Sequence, residues 1–300
     1  MNLNSTIRSM GKGISLWFKQ KVLRRHEENE QDYAGKVLSE ASSFGIMEAY
    51  RGIRTNLMYT GTMAKSSVIA VTSAMPNEGK SLTCTNLAVS FAMAGKRVLV
   101  IDGDMRNPSQ AKLFGVEMDG DGLSEVLSGQ RTEPSIIPLE REKGLYLLRT
   151  GHRPPNSTEL LLGGRMDSLL SRLREEYDVI FIDLPPIGIV TDGVVLAEKV
   201  DGYLLVVEAA CSDSTNVSHA VDSLEKVNAK ILGFVLNNVS QKGGKHGHYS
   251  HYRRYGYGAY GDTPESAAAP ASAPNAKSAR ENDVGKKGAA PIQKSAKKKK

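Results

Sequence analysis

The residues with the clearest chemical potential form one loop, residues 74–81. The loop reads AMPNEGKS, which fits the P-loop pattern with alanine where glycine is commoner at the first position. Backbone N–H groups of such a loop, together with the helix that follows, cradle nucleotide phosphates, and the lysine adds a positive charge. A chance Gly-Lys-Ser would lack the strand-like run before it and the apolar helix after it. We predict that ATP is bound by these residues: Pro76, Asn77, Glu78, Gly79, Lys80, Ser81 and Leu82.

Three carboxylates follow two other strand-like runs and predict a magnesium site. Asp102 and Asp104 follow the apolar run 98–101, and Asp183 follows 179–182. Because the ligand crevice of an open α/β sheet lies beyond the carboxyl ends of its strands, all three acids point toward the P-loop. Mg²⁺ takes one or two carboxylates besides phosphate oxygens. The candidate metal ligands are Ser81, Asp102, Asp104 and Asp183.

The acid that the metal does not need is free to deprotonate an attacking hydroxyl. We assign this role to Asp102, although Asp102 and Asp104 could exchange roles. A single acid at a strand end is often only a helix cap, but three that converge on one P-loop favour a catalytic site. The expected catalytic residues are Lys80, Asp102, Asp104 and Asp183.

Alternating strand-like and helix-like stretches between Ser67 and Val239 would position these groups. Most of the apolar runs lack period-2 alternation, as expected for parallel strands covered on both faces. The strands are predicted over 68–72, 98–102, 145–148, 179–183, 203–207 and 231–236, and the helices over 45–60, 81–94, 158–176, 191–198 and 213–227. This order predicts an α/β fold with a doubly wound, mostly parallel sheet.

The charge of this chain is unevenly distributed, with two basic ends, and its low cysteine content indicates a reducing compartment. The net charge is +6, with six Lys/Arg and no acid in residues 1–26 and thirteen Lys/Arg against four acids in 241–300. Residues 27–240 are therefore acidic, at −9, and the ends are the parts that would meet anionic partners. Cys84 and Cys211 fit neither a metal spacing nor a disulfide framework. No run is long enough to span a membrane or shaped like a signal peptide.

Taken together, the motifs resemble the bacterial tyrosine kinases of capsule and exopolysaccharide systems, of the cytoplasmic type. The resemblance covers roughly residues 40–261. It implies a P-loop NTPase of the deviant-Walker, ParA/MinD-like class that uses ATP and Mg²⁺ and phosphorylates protein tyrosines. The residues that carry it are Thr72 to Ser81, Val98 to Arg106 with its Asp-x-Asp-x-Arg, Ile180 to Pro186 as Walker B, Pro154-Pro155-Asn156 and Gly122-Leu123-Ser124.

The alternative function is a non-kinase ATPase switch at the membrane, like the partitioning and cell-division ATPases of the same fold. Those proteins carry an additional lysine early in the P-loop, and Met75 stands at that position here. Met75 therefore favours the kinase. In related ATPases an asparagine after the last strand meets adenine, which suggests that role for Asn237 or Asn238, but a plain turn asparagine fits equally well.

The resemblance also implies functions for two further groups of residues. Glu48, Arg51 and Arg54 form Glu-x-x-Arg-x-x-Arg along one helix flank, where Glu48 and Arg51 could simply pair. The resemblance implies instead that they bridge neighbouring subunits of a ring. It also implies phosphorylation, between subunits, of a cluster with no aliphatic partners to pack against: Tyr249, Tyr252, Tyr255, Tyr257 and Tyr260. Aromatic residues interleaved with arginines could also stack on nucleic-acid bases, which is the alternative we do not favour.

The predicted organisation has four parts. A basic leader, 1–40, contains an amphipathic pattern over residues 7–22 that fits either membrane contact or a flexible leader. The kinase domain is 41–241, the tyrosine segment is 242–261, and an Ala/Pro/Lys-rich tail, 262–300, is expected to be disordered. The resemblance implies a separate transmembrane, co-polymerase-type activator, a protein-tyrosine phosphatase, and a location in the cytoplasm at the inner face of the plasma membrane. The implied function is regulation of capsule or exopolysaccharide synthesis and export.

Overall fold

The computed structural model describes residues 35–59, 66–209 and 212–239. The amphipathic leader pattern, the five-tyrosine cluster and the Ala/Pro/Lys-rich tail lie outside these residues. Val37 and Leu38, at the end of the predicted leader, are buried. Within the described ranges, no helix is both long and apolar enough to cross a membrane.

Seven strands form one mostly parallel sheet, which confirms the predicted doubly wound α/β fold. The strand order is β3-β4-β2-β5-β1-β6-β7, and only the edge strand β3 is antiparallel to its neighbour. Most residues of the central strands are buried because helices cover both faces of the sheet. The strands are β1 Ser67–Ser73, β2 Val98–Asp102, β3 Ile136–Pro138, β4 Leu145–Leu148, β5 Val179–Asp183, β6 Gly202–Glu208 and β7 Ile231–Asn237.

The helices divide the core into two clusters, one on each face of the sheet. On one face Leu87 and Phe91 pack with Ile69, and on the other Leu170 and Leu224 pack in the cluster of Val68. Successive β1 residues thus contribute to opposite clusters, because strand side chains alternate. The helices are α1 Phe44–Tyr59, α2 Lys80–Ala92, α3 Gln110–Phe114, α4 Leu123–Ser128, α5 Ser157–Leu162, α6 Gly164–Glu176 and α7 Ser214–Glu225.

The element predictions were wrong in three places. The single helix over 158–176 is two helices, because the extended backbone of Gly163 (φ −61°, ψ 153°) separates α5 from α6. The helix over 191–198 is only a 3₁₀ turn, Val194–Leu196. Strand β3 and the short helices α3 and α4 were not predicted, because segments of three to six residues carry little periodicity.

Candidate active site

The P-loop lies between β1 and α2, as its sequence position requires. Asn77 (φ 66°) and Gly79 (φ 86°) adopt the left-handed conformation, which turns the chain sharply into α2. A Cβ atom on Gly79 would lie 2.1 Å from Asn237 Nδ2, so only glycine fits there without a shift. Asn237 Nδ2 donates to the Glu78 carbonyl oxygen at 3.1 Å. The structure therefore brings the end of β7 against the P-loop.

The remaining predicted P-loop residues differ in exposure. Pro76 and Asn77 are exposed at the tip of the loop, while Leu82 packs against the core. Glu78 is buried, and its carboxylate accepts hydrogen bonds from the Met75 N–H at 2.9 Å and from the Ser212 hydroxyl. These hydrogen bonds of Glu78 stabilise the conformation of the P-loop.

Lys80 is the centre of the site. Its Nζ atom lies 2.9 Å from Asp104 Oδ2, 3.2 Å from Asp183 Oδ1 and 3.1 Å from Ser81 Oγ. Burial opposes the lysine charge, but the Asp183 and Asp104 carboxylates outweigh it and raise the pKa of Lys80. The other Asp104 oxygen accepts from the Asn107 N–H at 2.9 Å. Lysine and two of the three acids thus converge, as predicted.

Asp102 lies beside this group but does not bond to Lys80. Its Oδ2 accepts from the Ser109 N–H at 3.0 Å and the Gln110 N–H at 2.9 Å. Its Oδ1 is buried and has no hydrogen-bond partner among residues 35–59, 66–209 and 212–239. Asp102 is the register partner of Asp183 across the two adjacent strands. Burial, with the Asp183 charge, raises the pKa of Asp102 to about 8.

Gln110 is a site residue that the sequence did not indicate. It is fully buried at the start of α3, and its Nε2 donates to Asp183 Oδ2 at 2.8 Å and to the Ser81 carbonyl at 3.1 Å. Its Oε1 accepts from the Thr85 hydroxyl at 2.7 Å. This one side chain therefore fixes Asp183 relative to α2 on one side and, through its backbone N–H, holds Asp102 on the other.

A second unpredicted feature is the ion pair between Arg106 and Asp192. Arg106 Nε and Nη2 donate to the two Asp192 oxygens at 3.0 and 2.9 Å. Asp192 is fully buried and also accepts from Ser157 Oγ at 2.7 Å and Thr158 Oγ1 at 2.6 Å. Burial would raise the pKa of Asp192, but the hydrogen bonds from Arg106, Thr158 and Ser157 lower it. The pair anchors the segment that follows Asp104.

The predicted interface residues lie on α1, away from the P-loop residues. Glu48 and Arg51 pair with each other at 2.6 Å, and both side chains are about half exposed, at 47% and 50%. Arg54 instead donates to the backbone carbonyl of Ser90 in α2. Intrahelical pairing and a role between subunits are compatible, because the Glu48–Arg51 pair remains accessible.

The donor set fits a magnesium-bound nucleotide. Ser81, Asp102, Asp104 and Asp183 offer oxygen ligands, which Mg²⁺ prefers. The unpartnered Asp102 Oδ1 is the kind of atom that a metal-bound water or a substrate proton would satisfy. The left-handed Gly79 leaves the loop N–H groups free of side-chain obstruction on the phosphate side.

Comparisons with known proteins agree with this geometry. A protein-family model described as ParA, NUBPL iron-transfer P-loop NTPase, matches residues 64–270. The P-loop NTPase part of that description agrees with the structure. Its iron-transfer part has no counterpart in the sequence, because Cys84 and Cys211 are too far apart in the chain to match a short metal-ligand motif.

Individual relatives and solved structures show which group of P-loop NTPases this chain resembles. Tyrosine-protein kinase YwqD of Bacillus subtilis is 36% identical over 225 residues, which cover 75% of this chain and 93% of the relative. The kinase domain of Escherichia coli tyrosine kinase ETK matches with a TM-score of 0.62 and 32% identity, covering 67% of this chain and 78% of that domain. The chimerical protein CapA2B2 matches with a TM-score of 0.61 and 33% identity, covering 68% and 95%.

Proposed function

This chain belongs to the bacterial tyrosine-protein kinases of capsule and exopolysaccharide systems, and we propose that it phosphorylates its own C-terminal tyrosine cluster between subunits. The acceptors are Tyr249, Tyr252, Tyr255, Tyr257 and Tyr260, and the phosphoryl donor is ATP with Mg²⁺. The observation that carries this proposal is the convergence of Lys80, Asp104 and Asp183 next to a buried Asp102 with one free oxygen.

In this mechanism the P-loop positions the phosphates and one carboxylate handles the proton. The backbone N–H groups of residues 76–81 and the Lys80 ammonium hold the β- and γ-phosphates. Asp102 accepts the proton of the tyrosine hydroxyl while the tyrosine oxygen forms a bond to the γ-phosphorus. The bond from the γ-phosphorus to the β–γ bridging oxygen breaks, and ADP leaves. A free tyrosine ionises only near pH 10, so a positioned base assists the attack.

Magnesium would be held by Ser81, Asp104 and Asp183, with Asp102 within reach, and it would supply charge neutralisation on the phosphate oxygens. Gln110 keeps Asp183 in place through the Nε2 contact at 2.8 Å. Asn237 contacts the P-loop through the Glu78 carbonyl, and we assign it to the adenine base. The groups with assigned roles follow the carboxyl ends of adjacent strands, which is the edge where an open α/β sheet binds its ligand.

The regulatory part of the proposal concerns assembly. Each phosphate adds about −1.5 to −2 charges at neutral pH, so phosphorylation would make the basic tyrosine segment acidic and disfavour its insertion into a neighbour's active site. Glu48, Arg51 and Arg54 would join subunits in a ring. A transmembrane co-polymerase-type activator would hold the kinase at the inner face of the plasma membrane, and a tyrosine phosphatase would reverse the modification. Together these steps would regulate polysaccharide synthesis and export.

A phosphotyrosine blot of three purified proteins tests the reaction. Wild type incubated with Mg-ATP should gain phosphotyrosine, whereas Lys80→Met and the variant with all five tail tyrosines changed to Phe should not. A non-kinase ATPase switch would hydrolyse ATP and label no tyrosine. Undiminished autophosphorylation of Lys80→Met would contradict the proposal, and undiminished labelling of the five-Phe variant would contradict the choice of acceptor.

A further inference from the structure

We propose that Gln110 is a positioning residue for phosphoryl transfer, which keeps the Asp183 carboxylate aligned for magnesium while Lys80 serves the nucleotide phosphates. Gln110 is fully buried at the first position of α3. Its backbone N–H bonds to Asp102, and its side-chain amide bonds to Asp183 and to the Ser81 carbonyl. One residue therefore contacts all three segments that form the site. The inference deepens the proposed function and rests on its magnesium–nucleotide site.

The hydrogen-bond partners of the Gln110 side chain define the orientation of its amide. Nε2 has two N–H groups, and its partners, Asp183 Oδ2 at 2.8 Å and the Ser81 carbonyl oxygen at 3.1 Å, are both acceptors. Oε1 lies 2.7 Å from the Thr85 hydroxyl, which can donate. The reversed amide would place its oxygen against a carboxylate and a carbonyl. The partners thus specify an N–H that points at Asp183.

The three acids of the site differ in what holds them besides Lys80. Asp104 accepts a backbone N–H of the loop after β2 at 2.9 Å, and Asp102 accepts two more at 2.9 and 3.0 Å. These bonds depend on the course of the backbone. The bond to Asp183 Oδ2 comes instead from the Gln110 side chain. A substitution of Gln110 can therefore release Asp183 without removing a backbone donor from the other two acids.

Lys80 cannot take over this contact while it holds phosphates. Its three N–H donors are shared between Asp104 at 2.9 Å, Ser81 at 3.1 Å and Asp183 Oδ1 at 3.2 Å. Contact with the β- and γ-phosphates draws donors from this set, and the bond to Asp183 is the longest of the three. Asp183 then depends on the Gln110 amide for its orientation.

The Gln110 bond also determines which oxygen Asp183 presents. Because Oδ2 is bonded to Gln110, Oδ1 is the oxygen on the side of Lys80 and the P-loop. Hydrogen bonds from outer partners commonly fix the orientation of metal-binding carboxylates in this way. Removal of such a partner typically lowers metal affinity or activity about 10- to 100-fold. Gln110 should therefore matter for magnesium more than for the nucleotide itself.

The test measures ADP binding by the full-length protein with and without Mg²⁺, which requires no phosphoryl transfer. Gln110→Met keeps a side chain of similar length and removes its hydrogen bonds. We expect the enhancement of ADP affinity by Mg²⁺ to fall about tenfold in this variant, because Asp183 is no longer held. ADP affinity without Mg²⁺ should be nearly unchanged, because Gln110 contacts neither Lys80 nor the N–H groups that hold the phosphates.

Asn86→Leu is the matched control for lost stability. Asn86 is also a buried amide that contacts α2 and its surroundings through three hydrogen bonds, with the Leu38 N–H at 2.7 Å, the Tyr50 hydroxyl at 3.1 Å and the Lys36 carbonyl at 3.3 Å. Its removal should lower the free energy of unfolding to a degree comparable with Gln110→Met. The enhancement of ADP affinity by Mg²⁺ should stay at the wild-type value.

The kinetics give a second readout that a structural role would not produce. The substrate is a synthetic peptide, residues 248–261, and the enzyme is the full-length protein whose five tail tyrosines are Phe. In this background Gln110→Met should lower kcat about tenfold and leave the KM for the peptide nearly unchanged. Gln110→Asn is the second variant if the Met variant does not fold. It shortens the side chain by one C–C bond, about 1.5 Å, and should give the same pattern.

The outcomes separate this inference from the proposed function. If Mg²⁺ enhances ADP binding equally in wild type and in a folded Gln110 variant, the inference is wrong. An equal loss of enhancement in Asn86→Leu would also overturn it, because the effect would then be one of stability. No enhancement in wild type would overturn the inference together with the magnesium site. Failure of wild type to label its tail would contradict the proposed function but not the ADP result.

Discussion

At the scale of single residues, the buried Asp192 carboxylate holds Arg106, which lies two residues after Asp104. It is completely buried and is satisfied by one guanidinium and two hydroxyls. Arg106→Gln would leave a buried carboxylate partly unpaired, which costs about 1–3 kcal/mol of unfolding free energy. The segment carrying Asp104 would also lose its anchor, and a displacement of about 1 Å at a reacting group can cost about 10²-fold in kcat. Urea unfolding and peptide phosphorylation measure the two effects.

A nucleotide-binding measurement separates this positioning role from general destabilisation. Magnesium strengthens ADP binding through its protein ligands, so displacement of Asp104 should reduce that enhancement. We expect the ratio of ADP affinities with and without Mg²⁺ to fall several-fold in Arg106→Gln. Arg174→Gln is the control, because it removes a partly buried pair with Asp201 (2.7 Å) at the amino edge of the sheet. Equal ratios in the two variants would show that the Arg106 pair is only structural.

Asp102 should give the nucleotide-free protein a distinctive pH dependence of stability. Burial and the neighbouring Asp183 charge raise its pKa from the ordinary 3.8 to about 8. Between these values the folded protein retains a proton that the unfolded chain has released, so the free energy of unfolding from this group falls as pH rises. Asp102→Asn cannot titrate, and its stability should decline less from about pH 4 to about pH 8 than that of wild type. Urea unfolding without nucleotide or metal checks this.

The same exchange at the exposed Asp222 on α7 controls for the loss of one carboxylate charge. The pH profile of each variant is compared with that of wild type. If Asp102→Asn runs parallel to wild type, then Asp102 is ionised throughout this range in the folded protein, and its assignment as a base poised near neutral pH is wrong.

The sequence predicted those site residues that directly follow a strand in the chain. A P-loop after a strand, and acids at the ends of parallel strands, meet because the sheet topology brings strand ends together. Gln110 and Asp192 could not be found in this way. Gln110 reaches Asp183 across 73 residues and Arg106 reaches Asp192 across 86, and neither contact leaves a pattern of spacing in the chain. Both depend on how a short loop folds back over the edge.

At the scale of elements, helix α1 allows the proposed subunit contact to be tested without unfolding the domain. The exposed Glu48–Arg51 pair contributes only about 0.2–0.5 kcal/mol to an isolated helix. Glu48→Ala and Arg51→Ala should therefore change the free energy of unfolding very little. If these residues bridge subunits, however, the same variants should lower the assembly mass measured by light scattering.

Two other arginines complete this experiment. Arg172→Ala removes a comparably exposed pair with Glu133 and should leave the assembly mass unchanged. Arg54→Ala also removes the hydrogen bond from α1 to the Ser90 carbonyl, so it should cost about 1 kcal/mol of stability in addition to any effect on assembly. An assembly that survives both Glu48→Ala and Arg51→Ala would reject α1 as the interface.

Element predictions succeeded where burial on both faces gave long apolar runs and failed where elements were short. The six predicted strands are all present because each is an apolar run with the composition of a covered parallel strand. Strand β3 has only three residues and is partly exposed, so its apolar content is small. Gly163 ends α5 because its extended backbone cannot continue a helix, whereas the flanking leucines and arginines favour a single helix. The boundary at Gly163 is therefore set by a backbone conformation that the apolar pattern of the sequence does not indicate.

At the scale of the whole molecule, the acceptor and the active site belong to different copies in the proposed reaction. A mixture of two inactive proteins tests this directly. Lys80→Met keeps the tail tyrosines but should not transfer phosphate, and the five-Phe variant keeps the active site but has no tail acceptor. Each alone should remain unlabelled in the tail. Mixed with Mg-ATP, the Lys80→Met chain should become phosphorylated on its tail tyrosines.

The kinetics of that mixture give a second test of transfer between chains. Because donor and acceptor sites lie on separate molecules, the initial rate at a fixed concentration of the five-Phe variant should rise with the concentration of the Lys80→Met chain and saturate as the active sites of the five-Phe variant become occupied. Tags of different size assign the label to one chain. A mixture that stays unlabelled while wild type labels its own tail would mean that transfer occurs within one chain, and the proposed reaction between subunits would then be wrong.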